Sequence, residues 1–246
     1  MTDDTQKTES PLPKHIVSAF DDELGELSAG LSEMGGLAEE ELSNAIESIA
    51  NRDAELAQQV IAADARLDAM EMKLEDGAVQ TLALRQPMAA DLRQVVAVLK
   101  IASTLERIGD LAKNIAKRAK VLSQSPPLRI SGSVVRMARQ TQTLLNEALD
   151  AWTARDTTLA VSVWNRDVEI DEMYNSVFRE LITYMMEDPR IIGLCSQLLF
   201  VAKNLERIGD HATFIAEMTY FVVEGEPLGD DRPKGESVDE LPPMAD

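Results

Sequence analysis

The sequence predicts an all-α protein built as a tandem repeat of two antiparallel three-helix bundles, with six long helices. Three observations lead to this prediction. The apolar residues are mostly Ala, Leu, Ile, Val and Met, and aromatic residues make up only 4% of the chain, which is typical of helix packing. Long segments place apolar residues at helical spacing with few turn signals between them. One hexapeptide occurs twice, letter for letter.

Turn signals divide the chain into six predicted helices. Apolar residues spaced by three and four run through residues 56–74 and again through residues 101–115, so each stretch predicts one buried helix face. Asp53 and Asp156 each follow an arginine at a predicted turn, which suits a helix N-cap. Because the turns are short, neighbouring helices are expected to run antiparallel. The predicted helices cover residues 15–50, 53–85, 88–123, 130–154, 157–187 and 190–223.

The second half of the chain repeats the first. The hexapeptide Leu-Glu-Arg-Ile-Gly-Asp occurs at residues 105–110 and 205–210, an offset of 100, whereas upstream positions match at an offset of 103. A three-residue deletion between the second and third helices of the second unit reconciles the offsets, because loops tolerate changes of length. We therefore predict two bundles flanked by disordered tails. The predicted boundaries are 1–14 for the N-terminal tail, 15–124 and 125–223 for the bundles, and 224–246 for the acidic C-terminal tail.

The net charge of −19 restricts the partners of this chain. A strongly acidic surface repels nucleic acid phosphates and anionic lipid headgroups, so we expect no nucleic acid partner and no direct membrane insertion. Cys195 is the single cysteine and lies in an apolar run, which predicts a core residue in a reducing compartment. The sequence shows no signal-peptide pattern and no apolar run of the roughly 20 residues that a spanning helix needs. These observations predict a cytoplasmic protein.

Each half carries two pairs of acidic residues at a spacing of i, i+4, which places both carboxylates of a pair on one helix face. In a chain with 43 acidic residues a single such pair is expected by chance and predicts only a solvated face. Both pairs recur at matching positions of the two units, however, and this favours a shared site. The eight residues are Asp64, Asp68, Glu106 and Asp110 in the first half and Asp167, Asp171, Glu206 and Asp210 in the second.

Four converging carboxylates in each half need a compensating positive charge. At about 100° per residue the helix-two aspartates flank the apolar stripe and the helix-three pair faces outward, so we expect each cluster in a surface groove. Arg107 and Arg207 would supply part of the charge, and a multivalent cation would supply more. Oxygen ligands point to Mg²⁺, Mn²⁺ or iron, with Zn²⁺ as a further candidate. Gly109 and Gly209 fit either a close backbone approach beside the carboxylates or tight helix packing.

The chain lacks the sequence motifs that are typical of catalytic sites, so we expect that it has no catalytic residues and is not an enzyme. His15 and His211, the two histidines, do not form the Glu-x-x-His ligand pair of di-iron bundles. There is no P-loop, no glycine-rich dinucleotide fingerprint and no HExxH sequence. Two alternatives stay open: a metal-dependent phosphoester hydrolase that uses paired carboxylates with Mg²⁺ or Mn²⁺, and a stress-linked metal-binding scaffold.

Three segments resemble the PhoU family of phosphate-uptake regulators. They are RQPMAADLR at residues 85–93, LERIGD at residues 105–110 and LERIGDHA at residues 205–212. The likeness covers about residues 15–223 and implies two three-helix bundles with metal clusters bound by E/D-x-x-x-D motifs, which match the four acid pairs. It also implies an adaptor that links the ATPase subunit of the phosphate transporter to the sensor histidine kinase. Such an adaptor holds the phosphate-starvation response off when phosphate is plentiful.

The resemblance places the chain at the inner membrane only peripherally, through these protein partners, and we expect a homodimer. The second half departs from the family pattern, because residues 188–193 lack the Gln-Pro and Asp-Leu-Arg strings found within residues 86–93. Asp91 and Arg93 have no counterparts there, so we expect no symmetric role for them. The acidic C-terminal tail lies outside the likeness.

Overall fold

The structure, a computed structural model, describes residues 14–127 and 131–229, and within these ranges the chain is helical without any strand. The all-α prediction is confirmed, and the helix boundaries agree with the predicted ones to within two residues. The helices are α1 (Lys14–Ala50), α2 (Ala54–Ala63), α3 (Ala65–Arg85), α4 (Ala89–Ser123), α5 (Ser131–Ala154), α6 (Thr157–Glu187) and α7 (Ile192–Glu224), with a 3-10 turn at Pro189–Ile191.

The second predicted helix is divided at Asp64 into α2 and α3. The backbone of Asp64 is itself right-handed helical, with φ −46° and ψ −36°. Its carbonyl accepts hydrogen bonds from the backbone N–H groups of Leu67 at 3.0 Å and Asp68 at 3.3 Å. The segments α2 and α3 therefore continue one another, and together they occupy the place that α6 has in the second half.

Both halves begin their second helix in the same way. Asp53 and Asp156 each accept two hydrogen bonds from backbone N–H groups of the following helical turn, at 2.9–3.0 Å, so both predicted N-caps are confirmed. The residues before them, Arg52 and Arg155, have left-handed backbones with φ of 57° and 53°. A left-handed residue ends the preceding helix and reverses the chain. The same turn therefore joins the first two helices of each unit.

One apolar core runs through both halves, because α1 and α4 pack against α5 and α7. The helices α4 and α7 run antiparallel. Near the end of α4, Arg118 Nη1 donates to Gln197 Oε1 at 2.8 Å near the start of α7. At the other end, the guanidinium of Arg93 lies against Gly225, which caps α7. Arg93, which has no counterpart in the second half, thus contacts the opposite half.

The predicted tails lie largely outside the described residues, so their disorder and the domain boundaries stay predictions. Lys14 and Glu224, which fall within the predicted tails, are the first residue of α1 and the last of α7. Cys195 is buried in the core, as predicted, and burial raises the pKa of its thiol. None of the described helices combines the length and apolar character needed to cross a membrane.

Candidate functional site

The first acidic cluster forms where α2 and α3 meet α4. Asp64 lies at the junction of α2 and α3, and Asp110 lies on α4. Lys113 Nζ donates to Asp64 Oδ2 at 2.5 Å and to Asp110 Oδ1 at 3.2 Å. One positive charge therefore contacts carboxylates from both helices of the predicted site. The structure thus brings one acid of each pair in the first half, Asp64 and Asp110, to the same ammonium group.

The acids of the first cluster are predicted to lie in a surface groove, and the structure agrees with this prediction for three of the four. Asp68 and Asp110 are exposed and Glu106 is half-buried, as a groove requires. Asp64 is buried, with 6% of its surface exposed, so the prediction is wrong for this residue. Its carboxylate points across the helix interface towards Lys113. A buried carboxylate is tolerated when a cation pairs with it, which is what Lys113 provides.

Electrostatics join the acids of the first cluster. Burial raises the pKa of Glu106, and the negative charges of Asp110, Glu71, Asp68 and Asp64 raise it further. The hydrogen bond to Asp64 in turn raises the pKa of Lys113, so its ammonium stays charged. The four predicted acids therefore lie within electrostatic reach of one another, and their combined field attracts cations.

The second acidic cluster forms between α6 and α7. Asp167, the counterpart of Asp64, is likewise buried at 2% exposure, which again differs from the predicted groove. Thr213 Oγ1 of α7 donates to Asp167 Oδ1 at 3.1 Å. Lys203 Nζ donates to Glu206 Oε1 at 2.9 Å. A hydroxyl thus contacts the buried aspartate here, and a lysine contacts the glutamate.

Glu206 connects the remaining acids of the second cluster. Burial raises its pKa, the hydrogen bond from Lys203 lowers it, and the charges of Asp210 and Asp171 raise it. Its second carboxylate oxygen, Oε2, is buried without a hydrogen-bond partner in the described part of the chain. The second half therefore also groups three of its predicted acids, Glu206, Asp171 and Asp210, and pairs Glu206 with a lysine.

The positive charge at both clusters comes from lysines that sequence reasoning did not select. Arg107 and Arg207, the predicted sources, lie on exposed positions. Lys113 and Lys203 instead contact the carboxylates. The sequence held a signal for this difference, since Lys113 aligns with Thr213 at the offset of 100. The pair Lys113 and Thr213 therefore shows, in the sequence alone, where the surroundings of the two acid clusters differ.

The two glycines of the repeated hexapeptide serve helix packing. A Cβ atom at Gly109 would lie 2.4 Å from Leu67 Cδ1, and one at Gly209 would lie 3.2 Å from Ile170 Cγ2. Contacts this short require glycine or a shift of the neighbour. In the first half the same Cβ position is also 3.4 Å from Oε2 of Glu41, a buried carboxylate of α1 that sequence reasoning missed.

The donor chemistry of both clusters fits a hard cation, although the side chains do not form a closed ligand shell. Among residues 14–127 and 131–229, no three His, Cys, Asp or Glu side chains are grouped tightly enough to hold a metal ion. In the first cluster Lys113 lies between the carboxylates. The oxygens of Glu41 and Glu206 Oε2 are buried and lack hydrogen-bond partners within the same ranges.

Comparison with known proteins gives two matches within the chain to the PhoU domain family, at residues 31–119 and 134–219. A phosphate-specific transport system accessory protein PhoU homolog from Caulobacter vibrioides (strain NA1000 / CB15N) is 51% identical, over 91% of this chain and 97% of its own length. The homolog from Rhizobium meliloti (strain 1021) is 46% identical, over 94% and 98%. One domain match in each half agrees with the tandem repeat.

Two crystal structures have the same fold. PhoU from Pseudomonas aeruginosa gives a TM-score of 0.82 at 40% identity, over 84% of this chain and 100% of that structure. The phosphate transport system regulatory protein PhoU from Streptococcus pneumoniae gives 0.78 at 28% identity, over 85% and 99%. The resemblance inferred from the three sequence segments is confirmed.

Proposed function

The chain belongs to the PhoU family, and on that premise we propose that it is a negative regulator of the phosphate-starvation response that also modulates phosphate uptake. It acts as an adaptor between the ATPase subunit of the phosphate transporter and the sensor histidine kinase. The observation that carries this proposal is the match along nearly the whole chain to phosphate-specific transport system accessory proteins. In this proposal the protein is cytoplasmic, homodimeric and not an enzyme.

The metal-binding part of the proposal rests on the carboxylate clusters. Asp64, Asp68, Glu106 and Asp110 would hold one ion or ion cluster, and the four acids of the second half would hold the other. Lys113 supports this assignment, because its ammonium already joins Asp64 to Asp110 across two helices. A divalent or trivalent ion would neutralise more of the negative charge than one ammonium does. It would tie α3 to α4 and α6 to α7.

The adaptor role is tested by capturing the tagged full-length chain from cells grown in phosphate-rich medium. We expect the transporter ATPase subunit and the sensor kinase to be captured with it. A strain that lacks the chain should express phosphate-starvation genes in the same medium. If that strain still represses these genes, the regulatory proposal is wrong, and a metal scaffold unrelated to phosphate becomes the better explanation.

The metal sites are tested with the double variant Glu106→Ala/Asp110→Ala. Elemental analysis should find less bound metal than in the wild type, while circular dichroism shows unchanged helicity. Glu75→Ala/Asp76→Ala is a matched control, because these two acids are exposed on α3. Equal metal content in both variants would refute the assignment. Turnover of phosphoester substrates by the Mn²⁺-loaded protein would instead favour the hydrolase alternative.

A further inference from the structure

Glu41 of α1 is a buried acid that the proposed sites leave unexplained. Only 2% of its surface is exposed, and neither Oε1 nor Oε2 has a hydrogen-bond partner among the described residues. An ionised carboxylate removed from water is strongly unfavourable unless a charge or hydrogen-bond donor compensates it. The residue therefore either holds a proton or lacks a cation.

The carboxyl group of Glu41 lies beside the first acidic cluster. Its Oε2 is 3.4 Å from the position that a Cβ atom would take at Gly109, the residue before Asp110. Burial raises the pKa of Glu41 to about 7, the nearby charges of Asp64 and Asp68 contribute to this rise, and the charge of Arg66 opposes it only in part. Glu41 therefore approaches the cluster from the core side, between α3 and α4, and the missing side chain of Gly109 leaves room for it.

The second half shows that the fold does not need an acid at this position. At the repeat offset of 103 the counterpart of Glu41 is Leu144, which is 1% exposed and belongs to the apolar core. A leucine packs at this place without any desolvation penalty. The glutamate is therefore unfavourable for folding alone, and its position beside the carboxylates of Asp64 and Asp68 indicates a ligand.

We propose that Glu41 is a fifth oxygen ligand of a multivalent cation in the first acidic site, and that Leu144 leaves the second site without such a ligand. The proposal rests on metal binding by the acid clusters. The ion lies where Lys113 now joins Asp64 to Asp110, and Glu41 completes its coordination from the core side. Since Mg²⁺ and Mn²⁺ are bound by hard oxygen donors, an added carboxylate strengthens binding. The first site therefore binds such ions more tightly than the second.

The test uses the full-length protein, freed of metal with a chelator and titrated with Mn²⁺ while electron paramagnetic resonance measures the free ion. The background variant Glu206→Gln/Asp210→Asn weakens the second site, so the first is observed alone. Adding Glu41→Leu, the residue of the second half, should weaken Mn²⁺ binding by about 10- to 100-fold. Glu41→Gln, which keeps the shape and one neutral oxygen, should fall between the two.

Terbium luminescence gives a second readout, because its lifetimes in H₂O and D₂O count the water molecules on the bound ion. Replacing Glu41 by Leu should add about one water. Unchanged Mn²⁺ affinity and an unchanged water count in Glu41→Leu would refute the ligand role alone, provided that Glu106→Gln/Asp110→Asn abolishes binding. If the wild type binds no Mn²⁺ at all, both this inference and the proposed metal sites are wrong. Circular dichroism confirms that each variant is folded.

Discussion

The two halves carry the same four acids on equivalent helices but surround them with different residues. In the first half Lys113 joins Asp64 to Asp110, and Glu41 lies beneath the cluster. The second half has Thr213 and Leu144 at these two positions. The repeat thus keeps the acids and changes their charged surroundings. The four acids repeat in the sequence, but the residues around them make the two sites different in the structure. Replacing a residue of one half by its counterpart from the other half measures how much each difference matters.

The largest change in the free energy of unfolding is expected when Glu41 is replaced by leucine, the residue at the equivalent position of the second half. Its pKa is raised by burial from 4.5 to about 7, so the folded protein keeps a proton that the unfolded chain releases above pH 4.5. The stability of the metal-free wild type should therefore fall as the pH rises from 4.5 to 7 and then level off. Glu41→Leu should be more stable by about 3 kcal/mol at pH 8 and by much less at pH 5.

Urea denaturation in the presence of a chelator measures this difference, because bound metal would otherwise add its own stabilisation. The control is Glu33→Leu, which changes another acid of α1 that is exposed to solvent and does not contribute to the pKa of Glu41. Its effect should be small and independent of pH. Equal stability gains for Glu41→Leu at pH 5 and pH 8 would show that the carboxyl group has an ordinary pKa.

The next effect concerns Lys113. Lys113→Met removes the charge that pairs with the buried Asp64, so the metal-free protein should lose about 2 kcal/mol, less than for a fully buried pair because the lysine is partly exposed. Lys113→Thr should lose less, since a hydroxyl contacts the equivalent aspartate of the second half. Both variants should bind Mn²⁺ at the first site about tenfold more tightly, because no ammonium competes. Unchanged Mn²⁺ affinity would show that Lys113 lies outside the ion's position.

Most of the fold, but only part of the site, could be predicted from the sequence. Asp53 and Asp156 were identified as helix caps because capping depends on a local signal, and the structure confirms both. The acid pairs were found because they recur. The spacing i, i+4 gives the helix face but not its depth, so the burial of Asp64 and Asp167 was missed. Depth depends on how helices distant in sequence pack together.

Glu41 was missed for a different reason. It ends a run of three glutamates, at residues 39–41, which reads as a solvated helix face. Its alignment with Leu144 indicates a core position, and that signal appears when the repeats are compared residue by residue rather than motif by motif. Lys113 was missed for the same reason, because its importance shows in the sequence only when it is aligned with Thr213 of the second half. Differences between repeats therefore identified the site as much as their identities did.

A smaller effect separates the two hexapeptide glycines. Gly109→Ala would place a methyl group 2.4 Å from Leu67 Cδ1 in the packed core, whereas Gly209→Ala would place it 3.2 Å from Ile170 Cγ2. Alanine gains about 1 kcal/mol over glycine within a helix, and overpacking costs about 1–3 kcal/mol. We expect Gly109→Ala to lower the free energy of unfolding by about 1 kcal/mol and Gly209→Ala to leave it nearly unchanged. The reverse order in urea denaturation would contradict the packing argument.

The smallest effect tests the neutral partner of the second cluster. Thr213 Oγ1 lies 3.1 Å from Asp167 Oδ1 and 3.0 Å from the Gly209 carbonyl, so its single proton serves one acceptor at a time. Thr213→Val keeps the shape and removes that donor, which should cost about 1 kcal/mol. Thr219→Val is a matched control, because Thr219 lies on the same helix, is also buried, and donates to a backbone acceptor, the Ile215 carbonyl, at 3.0 Å. If both variants lose the same free energy of unfolding, the hydrogen bond from Thr213 to Asp167 does not stabilise the fold. Thr213 would then not play the part for Asp167 that Lys113 plays for Asp64.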